Sequence, residues 1–314
     1  MERLLIIGGT GSLGTCLIKE WQYKYKIYVI SRDENKQWVL KRQYPNIIFI
    51  IGDMRDDKRM TEKIYSIKPH KVIIAAAMKH IDICEENVSE CIQTNIIGVQ
   101  NIVDTIVMMA DQGMIPEMDS VCYISTDKAT SPVNVYGMAK AIGERIMVEK
   151  SLLTKKPKFV IVRYGNIFDS RGSVIPLFNE IGKDPNRTFF PVTHPEMTRF
   201  ILKLEEAINL IETAIMEGES GDTFIPKLES FKIIDIANYF SQKYNKPTKI
   251  TQVRPGEKLH ECLINESEKH RTISKDGVYI IKPCYKPIVG NVDFQEYTSG
   301  NSLSNKSFEE VFQI

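Results

Sequence analysis

Tryptophan is scarce in this 314-residue chain, at 2 residues, and the 6 cysteines (Cys16, Cys84, Cys91, Cys122, Cys262, Cys284) include no C-x-x-C pair. Scattered thiols give neither a disulfide framework nor the ligand spacing of a zinc site, so a reducing compartment and no metal are expected. An excess of one charge is also missing, since 41 Lys plus Arg stand against 40 Asp plus Glu. No global field draws such a chain to nucleic acid or to a membrane surface. The longest apolar runs, at 4–7, 47–51 and 72–77, are strand-sized. They fall far short of the roughly 18 residues that a membrane span needs. The N-terminus shows no basic region leading into an apolar stretch, so no signal peptide is expected and a cytoplasmic location is.

Hydrophobic residues make up 43% of the chain, enough for a large core and one or two domains. Short β-rich runs at 4–7, 27–31, 47–50, 72–75, 121–125 and 159–163 alternate with amphipathic segments at 13–21, 58–66, 89–109 and 136–151. This alternation predicts an α/β fold, a doubly wound parallel sheet with helices on both faces. After 163 the pattern loosens. Residues 165–195 are rich in Gly, Pro, Asn and Asp, as loops around a site are, and 202–216 and 231–244 read as helices. The expected division is a nucleotide-binding Rossmann domain of 1–166 plus 198–225 and a smaller substrate domain of 167–197 plus 226–314. The polar tail after Asn291 is expected to be loosely held.

The chain opens with Leu4-Leu5-Ile6-Ile7-Gly8-Gly9-Thr10-Gly11-Ser12-Leu13-Gly14, a strand entering a glycine-rich turn that leads into a helix. Gly8, Gly11 and Gly14, with Thr10, Ser12 and Leu13 among them, let backbone approach a pyrophosphate while the helix N-terminus faces its charge. Strand before and helix after are the context this motif requires, so a dinucleotide is the expected ligand. The second strand ends in Ser31-Arg32-Asp33-Glu34-Asn35-Lys36. An acid directly at that end would accept the ribose hydroxyl of NAD. The Ser31 hydroxyl and Arg32 guanidinium, with Lys36 as a second cation, instead suit the extra phosphate of NADP. Asp33 keeps NAD open, and the plain alternative is a solvated loop. Asp53 and Met54 follow the third strand, near the expected adenine, with Asp53 alternatively a helix N-cap. At the end of the fourth strand, Ala75 and Ala77 leave room for the nicotinamide ribose, and Lys79 and His80 can reach phosphate or substrate. Thr94-Asn95 reads either as support for this strand end or as simple packing.

The most informative stretch is Ser125-Thr126-Asp127-Lys128-Ala129 followed by Tyr136-Gly137-Met138-Ala139-Lys140. A Tyr and a Lys one helical turn apart share a face, so the ammonium is expected to depress a phenol pKa that is ordinarily about 10. Upstream, adjacent hydroxyl, carboxylate and amine supply groups for more than one proton transfer. An exposed Asp127–Lys128 ion pair is the bland alternative. Their place at the C-terminal end of a parallel strand, where such sheets bind ligands, favours catalysis.

Together these segments resemble the extended short-chain dehydrogenase/reductase superfamily. A narrower resemblance rests on Ser31 to Lys36, Lys79-His80, Thr94-Asn95, Ser125 to Ala129, Arg163-Tyr164-Gly165-Asn166, Ser170 to Pro176, Met197-Thr198-Arg199-Phe200, Leu204 to Ala207 and Arg254-Pro255-Gly256-Glu257-Lys258-Leu259-His260-Glu261. These look like the small, soluble, inverting UDP-N-acetylglucosamine 4,6-dehydratases, which initiate pseudaminic-acid and related deoxy-aminosugar pathways of bacterial surface glycans. The dTDP-glucose dehydratases carry Thr-Asp-Glu where this chain has Thr126-Asp127-Lys128. The membrane-bound retaining enzymes replace the tyrosine, which is kept here as Tyr136.

The resemblance implies a lyase with a tightly bound NADP that is recycled. Tyr136 with Lys140 takes the carbon 4 hydroxyl proton and Thr126 binds that oxygen. Lys128 is then the carbon 5 base, provided its pKa falls towards neutrality, and Asp127 the acid. It implies sugar-nucleotide contacts from Lys79, Asn166, Arg171, Gly172, Ser173, Val174, Pro176, Thr193, Arg199, Arg254 and Glu257. It also implies a homo-oligomer paired through 89–109 and 136–151, with a hexamer as a higher assembly. The chain departs from its relatives at His194, at Met138 and in a compressed C-terminal region. A UDP-sugar 4-epimerase and a non-catalytic NADP-binding regulator are the alternatives.

Overall fold

The structure is a computed structural model that describes residues 1–170, 172–287, 290–293 and 295–312. Six parallel strands come first: β1 (Arg3–Ile7), β2 (Lys26–Ser31), β3 (Ile48–Ile51), β4 (Lys71–Ile74), β5 (Ser120–Thr126) and β6 (Lys158–Tyr164). Then follow β7 (Asn166–Ile167), β8 (Phe190–Val192), β9 (Thr198–Leu202), β10 (Thr223–Pro226), β11 (Ser230–Lys232), β12 (Thr248–Ile250), β13 (Cys262–Ile264), β14 (Thr272–Lys275), β15 (Val278–Ile281) and β16 (Tyr297–Thr298). The main sheet runs β14-β15-β10-β6-β5-β4-β1-β2-β3. The strand order, not the strand direction, reverses between the parallel β1 and β4, the place where such sheets open a crevice beyond their C-terminal ends.

Successive strand residues point to opposite faces, and both faces are buried. Leu4, Ile6, Ile27 and Val29 pack into one core, and Leu5, Ile7, Val72 and Ile74 into another. The first core is closed by α1 (Ser12–Trp21) and the later helix 204–217, through Leu17, Ile18, Ile208 and Ile211. The polar α2 (Glu34–Gln43) lies between β2 and β3. Helix α3 (Asp57–Ile67) closes the second core through Met60 and Ile64. Two short helices follow, α4 (Ile81–Glu86) and α5 (Val88–Ile92), then a π turn over Gln93–Ile97, then α6 (Gly98–Asp111), which adds Ile102 and Ile106 to that core. The sequence had suggested one helix over 89–109. The π turn interrupts it where Thr94 and Asn95 sit, and such turns gather at functional sites.

The remaining helices are α7 (Val135–Leu153), α8 (Val174–Lys183), α9 (Leu204–Glu217), α10 (Ile233–Tyr244), α11 (Glu266–Lys269) and α12 (Phe308–Phe312). A third core joins Phe178 of α8, Phe190 of β8 and Phe240 of α10 to Phe308 and Phe312. The tail after Asn291 is therefore docked rather than loosely held: β16 pairs with β13, and α12 buries both phenylalanines. Its few apolar residues are spaced too widely to announce this. The hairpin β14–β15 extends the main sheet, although the sequence division had placed 226–314 wholly outside it. Among the described residues no helix is long and apolar enough to cross a membrane.

Candidate active site

The glycine turn is tight for a steric reason. Gly8 has φ +89°, and a Cβ there would stand 2.5 Å from Ala76 N, while one on Gly14 would stand 2.3 Å from Gly9 Cα. Gly11 is the N-cap of α1 and carries no side-chain cap. Backbone amides at such an uncapped N-terminus suit an anion. Thr10 and Leu13 are buried in the same turn, and Ser12 opens the helix.

At the end of β2 the chain runs into a helix start rather than the solvated loop of the plain alternative. Asp33 caps α2 by accepting from Lys36 N at 2.9 Å, and its other oxygen pairs with Lys36 Nζ at 2.6 Å. Buried Gln37 donates to Ser31 Oγ at 2.8 Å and to Ile50 O at 2.8 Å. Arg32 Nη1 stands 3.8 Å from Asp53 Oδ2. Asp53 is not a helix N-cap: Asp56 caps α3, while Asp53 binds Arg55 through N, Nε and Nη2. Arg55, which sequence reading passed over, is thus tied to Asp53, the residue that reading set near the adenine. Met54 is buried against the start of α6, where a Gly98 Cβ would meet Met54 Cγ at 2.7 Å.

The strand β4 ends before Ala75 and Ala77, and the chain beyond is held by Asn95. The Asn95 side chain accepts from Met78 N and donates to Met78 O, both at 2.8 Å. Asn95 is thus the support that one reading of the sequence proposed. Neighbouring Thr94 has a buried Oγ1 with no hydrogen-bond partner among the described residues.

The end of β5 bends into one 3-10 turn, Asp127–Ala129, beside the N-terminal turn of α7. Asn134 caps α7 through Gly137 N at 2.7 Å and donates to Gly256 O at 2.8 Å, so the 254–261 segment closes over this turn. Thr126 Oγ1 donates to Asp127 Oδ1 at 2.9 Å. Lys128 Nζ lies 3.0 Å from Asp127 Oδ1 and 3.1 Å from Glu261 Oε1. Arg199 Nε stands 3.7 Å from the same Glu261 oxygen. Asp127 is fully buried, so this is not an exposed ion pair.

Electrostatics follow from that burial. Burial raises the Asp127 carboxyl above its ordinary range, against the pull of Lys128. Burial alone would lower Lys128, but Asp127 and Glu261 outweigh it and hold it above the ordinary lysine value. The sequence had required the reverse, a Lys128 falling towards neutrality. Burial pushes Tyr136 up to about 12, opposed by Lys128 and a Thr126 hydrogen bond. Lys140 is pushed down to about 7 by burial. Its ammonium is turned to Ile124 O and Tyr123, and the cation that opposes the rise of Tyr136 is Lys128, where spacing pointed to Lys140.

Across the crevice, a Cβ on Gly172 (φ +77°) would meet His80 Cε1 at 2.6 Å, so the loop after β7 abuts the loop that carries Lys79. Asn166 Oδ1 and Ser173 Oγ are buried without hydrogen-bond partners among the described residues. Val174 and Pro176 lie in the first turn of α8. Arg171 lies outside the described residues. Thr193 donates to Met197 Sδ at 3.3 Å, and His194 Nδ1 accepts from Glu196 N at 3.1 Å. Arg199 is engaged by protein, donating to Thr198 O at 2.7 Å and Leu259 O at 3.3 Å. Arg254 is exposed, and Glu257 accepts from its backbone N at 3.1 Å. Glu261 was missed as a participant because no local spacing links it to Lys128; only the closing loop does.

The sequence profile of the polysaccharide biosynthesis protein family matches residues 4–283. A Campylobacter jejuni protein named UDP-N-acetylglucosamine 4,6-dehydratase (inverting) is 36% identical over 97% of this chain and 89% of its own length. A Rickettsia felis protein named UDP-glucose 4-epimerase is 32% identical over 89% of this chain and 82% of its own. Among solved structures, the X-ray structure of Pen from Bacillus thuringiensis superposes with a TM-score of 0.88 at 31% identity, covering 99% of this chain and 96% of that one.

Proposed function

This chain belongs to the polysaccharide biosynthesis protein family, and we propose that it is an NADP-dependent UDP-N-acetylglucosamine 4,6-dehydratase that inverts carbon 5. The carrying observation is the buried Thr126-Asp127-Lys128 turn set against Tyr136. It offers an acid and an amine beyond what hydride transfer at carbon 4 requires. Bound NADP would accept the carbon 4 hydride and return it to carbon 6, leaving the cofactor unchanged. Tyr136 removes the carbon 4 hydroxyl proton, with Thr126 hydrogen-bonded to that oxygen. The ketone acidifies the carbon 5 proton, which Lys128 takes when its ammonium, held by Asp127 and Glu261, has given up its own proton. Asp127, whose carboxyl burial raises above its ordinary range, donates a proton to the carbon 6 hydroxyl as it leaves as water. Reprotonation of carbon 5 from the opposite face gives the L-arabino product.

The choice of NADP over NAD is supported by Asp33. Its carboxylate is engaged by Lys36 and by capping α2, which leaves Arg32 as the group to meet a ribose substituent. The glycine turn, with no room for a Cβ at Gly8 or Gly14, and the unpartnered Thr94 fit a dinucleotide. The reading sets the sugar nucleotide between Lys79, Asn166, Gly172 and Ser173 with the first turn of α8, Thr193, Arg254 and Glu257. Exposed Val88, Ile92, Met138 and Ile142 on α5 and α7 support pairing of two copies.

The relative named an epimerase supports a second reading, reversible oxidation at carbon 4 alone. A buried acid–amine pair has no task in that reaction, which favours dehydration. Proton NMR of the purified protein with UDP-N-acetylglucosamine in deuterated water separates them. Dehydration removes the carbon 4 proton signal, creates a carbon 6 methyl and gives L-arabino couplings. D-xylo couplings would refute inversion, and a carbon 4 epimer or unchanged substrate would refute dehydration.

A further inference from the structure

We propose that Glu261 is a positioning residue that holds the Lys128 ammonium beside Asp127 and sets how readily that lysine yields a free amine. The inference rests on the dehydratase reading for the task of Lys128, and on geometry for the rest. One ammonium is gripped by two carboxylates, at 3.0 Å from Asp127 Oδ1 and 3.1 Å from Glu261 Oε1. The side chains of Asp127 and Glu261 are 1% and 3% exposed, so water screens little of either attraction.

Glu261 is built in rather than incidental. Its backbone N–H donates to Ser299 Oγ at 2.9 Å, and its carbonyl accepts from Ser299 N at 2.8 Å. Ser299 Oγ in turn bonds Thr198 O at 3.2 Å, and Thr198 Oγ1 lies 2.8 Å from His260 Nδ1. Arg199 backs the carboxylate from β9. The C-terminal segment thereby fixes where the carboxylate stands. Glu261 Oε2 is buried with no hydrogen-bond partner among the described residues, an unsatisfied polar atom of a kind that well-packed interiors rarely keep.

Among the described residues, the charged and titratable groups that act on Lys128 are Asp127 on its own turn, Tyr136 on α7, Arg199 on β9, and Lys258 and Glu261 on the closing segment. Among them only Asp127 and Glu261 favour the ammonium. Asp127 is committed to the acid role at carbon 6, so Glu261 is the carboxylate left to tune the base. Its removal takes away one negative charge and lowers the Lys128 pKa; removal of Arg199, which competes for Glu261, raises it.

Trace acetylation with acetic anhydride at fixed pH, read by mass spectrometry against exposed Lys19, measures the free amine without any turnover. In Glu261→Gln the Lys128 rate should rise about tenfold, because one pKa unit is a tenfold change in free amine. Glu261→Asp, which keeps the charge, should stay near wild type, and Arg199→Met should slow the labelling. The ascending limb of the pH profile of dehydration should move to lower pH in Glu261→Gln. An unchanged Lys128 rate in a folded Glu261→Gln overturns the proposal, as does an unchanged rate in Arg199→Met should Glu261→Gln not fold. Wild-type protein that dehydrates nothing, yet shows these labelling shifts, would refute the dehydratase reading and leave the Glu261 coupling intact.

Discussion

The Lys140 ammonium lies 3.8 Å from the centre of the ring of Tyr123, a buried residue of β5. Its other contact is the Ile124 carbonyl, and burial pushes its pKa down to about 7. A lysine lowered on folding binds its proton more tightly in the unfolded chain. Between about pH 7 and the ordinary lysine value the unfolded state therefore holds the extra proton, and native stability rises with pH. Lys140→Met should remove this slope. The difference from wild type should approach about 1.4 kcal/mol per pH unit in that window, read by urea denaturation of the ligand-free protein.

Arg32 should decide the cofactor. With Asp33 engaged by Lys36, the guanidinium is the group left to meet a ribose phosphate. Arg32→Ala should weaken NADP binding by about tenfold to a hundredfold, the worth of a charge-assisted pair. NAD binding should hardly change. Titration calorimetry with both dinucleotides checks this, and equal losses for the two would count against the assignment.

Asp127 and Lys128 should separate in their effects. Lys128→Ala is expected to abolish both exchange of the carbon 5 proton with solvent and elimination, with cofactor binding intact. Asp127→Asn should leave some carbon 5 exchange while loss of water slows by about 10²–10⁴-fold, the usual worth of a general acid. Deuterium incorporation followed beside water loss makes the comparison. Full dehydration by Lys128→Ala would sink its role as base.

Arg163 carries the second buried charge network. It donates to Glu144 at 2.9 and 2.6 Å and to Glu268 at 2.8 and 2.9 Å, and to Leu263 O at 2.7 Å. Ser125, one residue before the catalytic turn, donates to Glu144 at 2.5 Å. Glu268→Ala should cost about 3–5 kcal/mol, because it leaves a buried guanidinium half-paired. Phe312→Ala, which strips the docked tail from the third core, should cost about 3–5 kcal/mol. Chemical denaturation reads both, and a cost below about 1 kcal/mol for Phe312→Ala would mean the tail does not dock in solution.

Much of this was legible along the chain. Runs such as Leu4 to Ile7 are continuously apolar because both faces of their strand are covered, and that alone signals a doubly wound sheet. The glycine turn was legible because Gly8 and Gly14 leave no space for a side chain. Helix α2 was not, since only Gln37 and Leu40 of it are buried and its pattern carries no stripe.

The sequence by itself determined the sheet, the dinucleotide turn and the residue types of the chemistry, because each depends on neighbours within one strand or one helical turn. Tertiary structure decided the charges. Whether Lys128 is an ammonium, whether Lys140 faces Tyr136, and that Glu261 and Ser299 belong to the site all depend on groups brought together by folding. Glu261 lies 133 positions after Lys128, and only burial at 3.1 Å makes its charge count, since an electrostatic interaction depends on distance and screening rather than on order along the chain.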